Sequence, residues 1–338
     1  MKNLITARSV ATAICAGAAV VALALSASPA FATTSKAGTV EETLATIAPE
    51  ALDDLAQPVL GDEAVEHTSD DVVATVPLDA SESITIADSD SELKIDLPFA
   101  EDASAVKTAS DAVVAFDNGN NSTTAAVVHD DGSVQVNTII HDADAPERYE
   151  YAVSVPEGGS LSLDEAGAVL ILDADGSLVG GAAPAWAKDA QGHTVPTHYE
   201  VDGSKLVQIV EHSAKFEYPV VADPWWGIRL FQKVGRGTWK GDYTYNAWVT
   251  PWGATVLGGG GGIGGYIVGG NIMRGAGWDE WKASWPAITN KATLRQQYDC
   301  HVAAGVYGLP FTQEYNLERA RANKANWVSN VLNHHCNW

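Results

Sequence analysis

Cys300 and His301 stand side by side, and His334, His335 and Cys336 follow as a second run. Two thiols and three imidazoles can do one of two things together: bridge, or hold a metal. Structural zinc wants four nitrogen or sulfur ligands at short, regular spacings, and this pattern matches none of them. An exported thiol pair oxidises instead. A Cys300–Cys336 disulfide is therefore the expectation, closing a 36-residue separation worth roughly 4 kcal/mol in the chain-entropy account. A zinc site remains the minor alternative. Asp299, His301 and Glu318 could shuttle protons in a hydrolase. Carboxylates and histidines at such spacing are common, so no catalytic residue is assigned.

The elements that would position these groups are readable nearby. Thr293 and Gln296 make a T-x-x-Q capping box, which opens a helix at Leu294. Leu294, Tyr298 and Val302 recur at i, i+4, i+8 as its buried stripe. Gly305 and the Gly308-Leu-Pro310 run end it. A second helix is expected from near Thr312 towards Asn333, with Leu317, Ala320, Trp327, Val328 and Val331 on its apolar side. Upstream, Trp278, Trp281 and Trp285 recur at i, i+3, i+7, and Pro286 breaks that helix. Trp278, Trp281, Trp285, His301, Tyr315 and Glu318 form the candidate binding set, although tryptophans on one helix face serve equally well as core.

Trp278-Asp-Glu-Trp281, Pro286, Thr293-Leu-Arg-Gln-Gln-Tyr-Asp-Cys-His301, Tyr315-Asn-Leu-Glu318 and Cys336 together resemble a C-terminal domain of unknown function from secreted actinobacterial proteins. Two departures stand out: Tyr315 occupies a place where tryptophan is usual, and the interval between the two motifs is longer. The run Tyr218-Pro-Val-Val-Ala-Asp-Pro-Trp226 is similar to segments that close a β-rich module ahead of variable C-terminal domains in such proteins. The resemblance implies export and a disulfide, and it brings no activity.

Lys2 and Arg8 precede an uncharged run from Val10 to Leu25, followed by Ala30-Phe-Ala32. This is the pattern of a secretory signal, with cleavage expected after Ala32 and a secreted, extracellular product. Charge then divides the chain. Residues 33–224 hold 7 basic and 37 acidic residues, whereas residues 225–338 hold 11 and 6. Ten of the 11 tryptophans lie in the second part. So acidic a first part repels phosphate and excludes nucleic acid as the partner of the whole protein.

The expected fold is multidomain α+β. Residues 33–71 read as an acidic, mostly disordered spacer, with one marginal amphipathic helix around Leu44, Ile47 and Leu55. Residues 72–224 read as an all-β, sandwich-like domain. Short apolar runs are separated by Asn118-Gly119, Asp131-Gly132, Asp175-Gly176, Gln191-Gly192 and Asp202-Gly203, pairs that suit tight hairpins because they tolerate positive φ. Asp142-Ala-Asp144 and Asp173-Ala-Asp-Gly176 could take calcium but lack the full loop pattern; solvated turns are the better reading. His193, His198 and His212 read as surface or strand histidines. Residues 225–338 are expected as a mainly α-helical, Gly/Trp-rich, disulfide-closed domain.

Within it, residues 254–273 are uncharged, and Gly261, Gly265 and Gly269 repeat at every fourth position. That spacing lets helices approach closely. A packed helix, a flexible linker and a membrane-inserting segment all stay open, because so many glycines cost helix propensity and dilute hydrophobicity.

The function expected from these readings is a non-catalytic binding module whose partner is a cell-envelope component or another extracellular protein. A membrane-active antagonist working through residues 254–273 is the second reading, and a secreted hydrolase the third.

Overall fold

A computed structural model describes residues 39–258, 268–306, 313–329 and 331–338. The expected signal and its cleavage site lie outside the described residues. All five turn glycines singled out above have positive φ, from 62° at Gly203 to 79° at Gly132 and Gly176. Four of these pairs join consecutive antiparallel strands; Gln191-Gly192 closes the short turn beside the Lys188–Thr194 bridge.

The protein is mostly β-sheet, in three antiparallel sheets. The first has eight strands, ordered Val59–Leu60, Ala64–Ser69, Val72–Pro77, Ile84–Ala87, Glu92–Asp96, Arg148–Val153, Lys205–Val210 and Thr197–Asp202. The second has ten. Its path runs Ser160–Leu163, Val169–Leu172, Leu178–Ala182, Trp225–Gly227, Val134–Ile140, Ser122–Val128, Val113–Asp117 and Ser104–Val106, with Ala187–Lys188 and Val220–Ala222 beside it. Ile84, Ile86, Leu93, Ile95 and Tyr151 of the first sheet share one core with Val134, Val136, Ile171 and Trp226 of the second. The alternation of apolar and polar residues through 84–97 put these side chains on one face.

Residues 39–71 are not a spacer. Thr39 and Glu42 form a reciprocal capping box, which opens helix α1, Val40–Ile47. The helix lies over the other face of the second sheet, where Leu44 and Ile47 pack with Val113, Ala115, Val127 and Ile139. So short a helix is marginal alone, and the sheet supplies what its composition lacks. Strand Ala64–Ser69 then pairs along its whole length with Val72–Pro77.

The C-terminal part is not mainly α-helical. Its frame is the third sheet, ordered Phe231–Trp239, Asp242–Val249 and Glu314–Glu318. Helices α2 (Pro251–Gly258), α3 (Trp278–Ser284) and α4 (Ala292–Val306) accompany it, with a π-helical turn at Met273–Gly277. The helix expected from Thr312 to Asn333 is a strand in its first half: Tyr315 and Leu317 are buried on alternate positions, paired with Ala247 and Tyr245. Turns fill 325–329, and only a single turn, α5 (Val331–His334), follows.

Trp225–Gly227 still belongs to the second sheet, so the chain leaves it three residues past the compositional break. Residues 38–338 form one compact unit. Asp131 accepts the Trp252 main-chain N–H at 3.2 Å, and the Trp252 indole N–H donates to the Trp225 carbonyl at 3.1 Å. A Cβ at Gly227 would stand 2.5 Å from the Trp252 ring, so glycine permits this seam.

Candidate functional site

The stripe Leu294, Tyr298, Val302 is fully buried in α4, as its spacing requires. The predicted capping box is not made. Helix α4 starts at Ala292, the Thr293 hydroxyl donates to the Ala322 carbonyl at 3.0 Å, and the Gln296 amide oxygen accepts from the Lys324 N–H at 2.7 Å. Both side chains instead serve the segment after residue 318, whose main-chain groups need partners.

The two motifs of the terminal stretch interlock. The Gln297 side chain donates to the Glu318 carbonyl at 3.1 Å and accepts the Glu318 N–H at 2.9 Å. Arg321 then holds the Glu318 carboxylate with two donors, at 2.8 and 3.1 Å. The Tyr298 hydroxyl donates to the Met273 carbonyl. Cys300 and Cys336 are bonded, their Cα atoms 5.6 Å apart, and both are fully buried. The zinc alternative is thereby overturned, since neither sulfur is a free thiolate.

His301 stacks on Tyr315 with centroids 4.8 Å apart. It is 3% exposed, and both ring nitrogens lack hydrogen-bond partners among the described residues. Burial alone pushes its imidazole down to about 4, so it is neutral at pH 7. The Tyr315 hydroxyl and the Trp281 indole N–H are likewise buried without partners among the described residues. Trp278 and Trp281 pack with Phe231, Tyr298 and Tyr315 in the second core, and they are core residues. Trp285 is half-buried at the edge, against Tyr245. Trp278, Trp281 and His301 are thus brought together around Tyr298 and Tyr315 as packing rather than as an open platform, while Trp285 and Glu318 lie outside that cluster.

The hydrolase trio is not assembled. Asp299 pairs with Arg295 at 2.9 Å, Glu318 is held by Arg321, and His301 bonds to neither. Among the described residues, no group of three His, Cys, Asp or Glu could hold a metal. Asp142 and Asp173 turn their carboxylates onto their own loops, accepting from the main chain of Asp144 and of Asp175 and Ser177. His193 and His198 are exposed strand and turn residues. His212 is buried between the Tyr218 hydroxyl and the Pro146 carbonyl, so it is structural rather than superficial.

A charged cluster at the seam has no counterpart among the sequence motifs. Arg229 meets Asp88 at 2.8 Å and Asp71 at 2.9 Å, and the Asp88 side chain is 3% exposed. The Glu280 carboxylate accepts the Leu230 and Phe231 N–H groups at 2.8 and 3.0 Å. Burial pushes the Glu280 carboxyl up to about 7, against the pull of those donors and of Arg229. Arg229, Asp88 and Glu280 line a cleft of about 640 Å³ between the Val169–Ala182 hairpin and α3, walled also by Leu170, Leu172, Leu178 and Ile272. Nothing in the local sequence marked Arg229, Asp88 and Glu280 as neighbours, because the separations between them are long. Of the three spaced glycines Gly269 is described, and a Cβ there would lie 2.3 Å from the Val256 carbonyl and 2.5 Å from that of Leu257. Residues 259–267, with Gly261 and Gly265, lie outside the described residues.

The chain matches no protein-family model, and none of the curated proteins matches it.

Proposed function

We propose that this is a secreted, non-catalytic binding module of the cell envelope or the extracellular space, with a sandwich-like β part carrying a smaller disulfide-closed part. The observation that supports the reading is the interlock of Gln297 with Glu318. The residues that could have done acid–base or metal chemistry are used to hold the terminal part together. Burial drives the His301 imidazole towards its neutral form, which suits a core residue and not a proton shuttle at an exposed site. A buried bridge between Cys300 and Cys336 fits an oxidising compartment, and with it the export signal read at residues 1–32. The resemblance of residues 278–338 to secreted actinobacterial domains belongs to the same proposal.

A membrane-active role through residues 254–273 draws less support. Val256, Leu257 and Met273 pack inside the second core, and Gly269 sits tight against α2. Among the described residues no helix is long and apolar enough to cross a membrane. Dye release from liposomes separates the two readings: the binding module leaves vesicles intact at concentrations that saturate its envelope partner, whereas dose-dependent leakage would favour the antagonist.

A further inference from the structure

The hairpin Phe231–Trp239/Asp242–Val249 ends in a tight two-residue turn, with Trp239 paired to Asp242 and both Lys240 and Gly241 at positive φ. Around this tip, cations and rings alternate. The Arg236 guanidinium lies 4.5 Å from the Tyr243 ring centre and 5.2 Å from that of Trp285. The Lys240 ammonium lies 4.2 Å from the Trp239 ring centre, and the Arg321 guanidinium 4.5 Å from the same ring.

The carboxylates of this region are taken. Both Asp242 carboxylate oxygens lie 2.9 Å from the Arg319 Nη1, and Glu318 is held by Arg321. Arg236 and Lys240 are exposed and meet only rings among the described residues. These two exposed cations leave the tip locally positive in a chain with 43 acidic and 20 basic residues.

We propose that this tip is a docking surface for an anionic glycopolymer: a chain of polyols or sugars joined by phosphodiesters. The proposal rests on the binding-module reading and names its partner. A guanidinium held over an aromatic face keeps its in-plane N–H donors free for phosphate oxygens, and it is weakly hydrated. Tyr243, 45% exposed, and the half-buried Trp239 and Trp285 offer flat surface to the C–H faces between phosphates. The tip carries Gly235, Gly237, Thr238 and Gly241 and no large aliphatic side chain beyond Val234. Its rings are interleaved with cations rather than gathered into one apolar patch. The acidic first part of the chain disfavours a dense polyanion such as duplex DNA.

The test titrates the intact protein with poly(glycerol phosphate) by calorimetry at low and at physiological salt, beside Arg236→Ala/Lys240→Ala. Both positions are exposed, and an unchanged thermal transition verifies the fold of the variant. Binding that weakens with salt, and at least tenfold again in the double variant, supports the proposal. Absence of binding, equal binding by the double variant, or equal binding of duplex DNA or phosphatidylglycerol vesicles overturns it. Sedimentation with envelope fragments keeps the two readings apart. If wild type and variant co-sediment equally, the tip is wrong and the binding module stands; if wild type does not co-sediment, the envelope form of the module reading falls, and the tip proposal with it.

Discussion

Gln297 and Glu318 are joined twice through one side chain: the Gln297 amide nitrogen reaches the Glu318 carbonyl, and its oxygen takes the Glu318 N–H. Both groups are buried. The end of strand Glu314–Glu318 is thereby fixed to the middle of α4, one turn before the cysteine that bonds Cys336. The motif residues of the terminal part are thus fasteners, and removing Gln297 leaves the buried Glu318 N–H unpaired.

Gln297→Leu keeps most of the volume and deletes both hydrogen bonds. The Glu318 carbonyl keeps the Arg321 N–H at 3.2 Å, so the change orphans the buried Glu318 N–H, which should cost about 1–3 kcal/mol. Chemical denaturation followed by tryptophan fluorescence reads it; a loss under about 0.5 kcal/mol would mean that the double contact contributes little.

Cys300→Ser removes a cross-link worth roughly 4 kcal/mol. The expected result is a strongly lowered transition in the tryptophan-rich second core, with far-ultraviolet strand signal persisting from the first core. Two free thiols in the unreduced, denatured wild-type protein would contradict the bridge.

Gly269→Ala places a methyl where two carbonyl oxygens lie within 2.5 Å. The two segments must separate, and overpacking of this kind costs about 1–3 kcal/mol or more. An alanine variant as stable as wild type would show that residues 256–257 and 269 do not pack closely.

His301 gives stability a pH dependence of definite sign. Its folded value, about 4, lies below the ordinary 6.5, so the unfolded chain binds the proton first. Stability from this residue is full above about pH 6.5 and falls as pH drops towards 4, by about 3 kcal/mol at most. Glu280 and Asp223, both raised to about 7 by burial, act oppositely: their contribution is lost as pH rises from about 4 towards and past 7. His301→Phe should flatten the acid limb alone. An unchanged acid limb would assign it to other groups.

What could be read from the sequence was what local chemistry decides. An Asn-Gly or Asp-Gly pair fixes its own φ, and Leu294, Tyr298 and Val302 declare one face of one helix. The neighbours of Tyr315 and Leu317 suit a helix, but strand Asp242–Val249, some 70 residues earlier in the chain, makes them a strand. Leu44 and Ile47 looked sparse alone and became core once a sheet lay beneath them. Arg229, Asp88 and Glu280 are joined only by the path of the fold, and no spacing rule reaches that far. The Arg236–Tyr243 stack depends on a hairpin register that only the turn at Lys240-Gly241 announces.

The most direct test of the binding-module reading is a sedimentation titration of the intact protein against purified envelope fragments, with the soluble phase analysed for released sugars and phosphate. The account predicts saturable co-sedimentation with no time-dependent release. Failure to co-sediment, or turnover that continues with time, would contradict it.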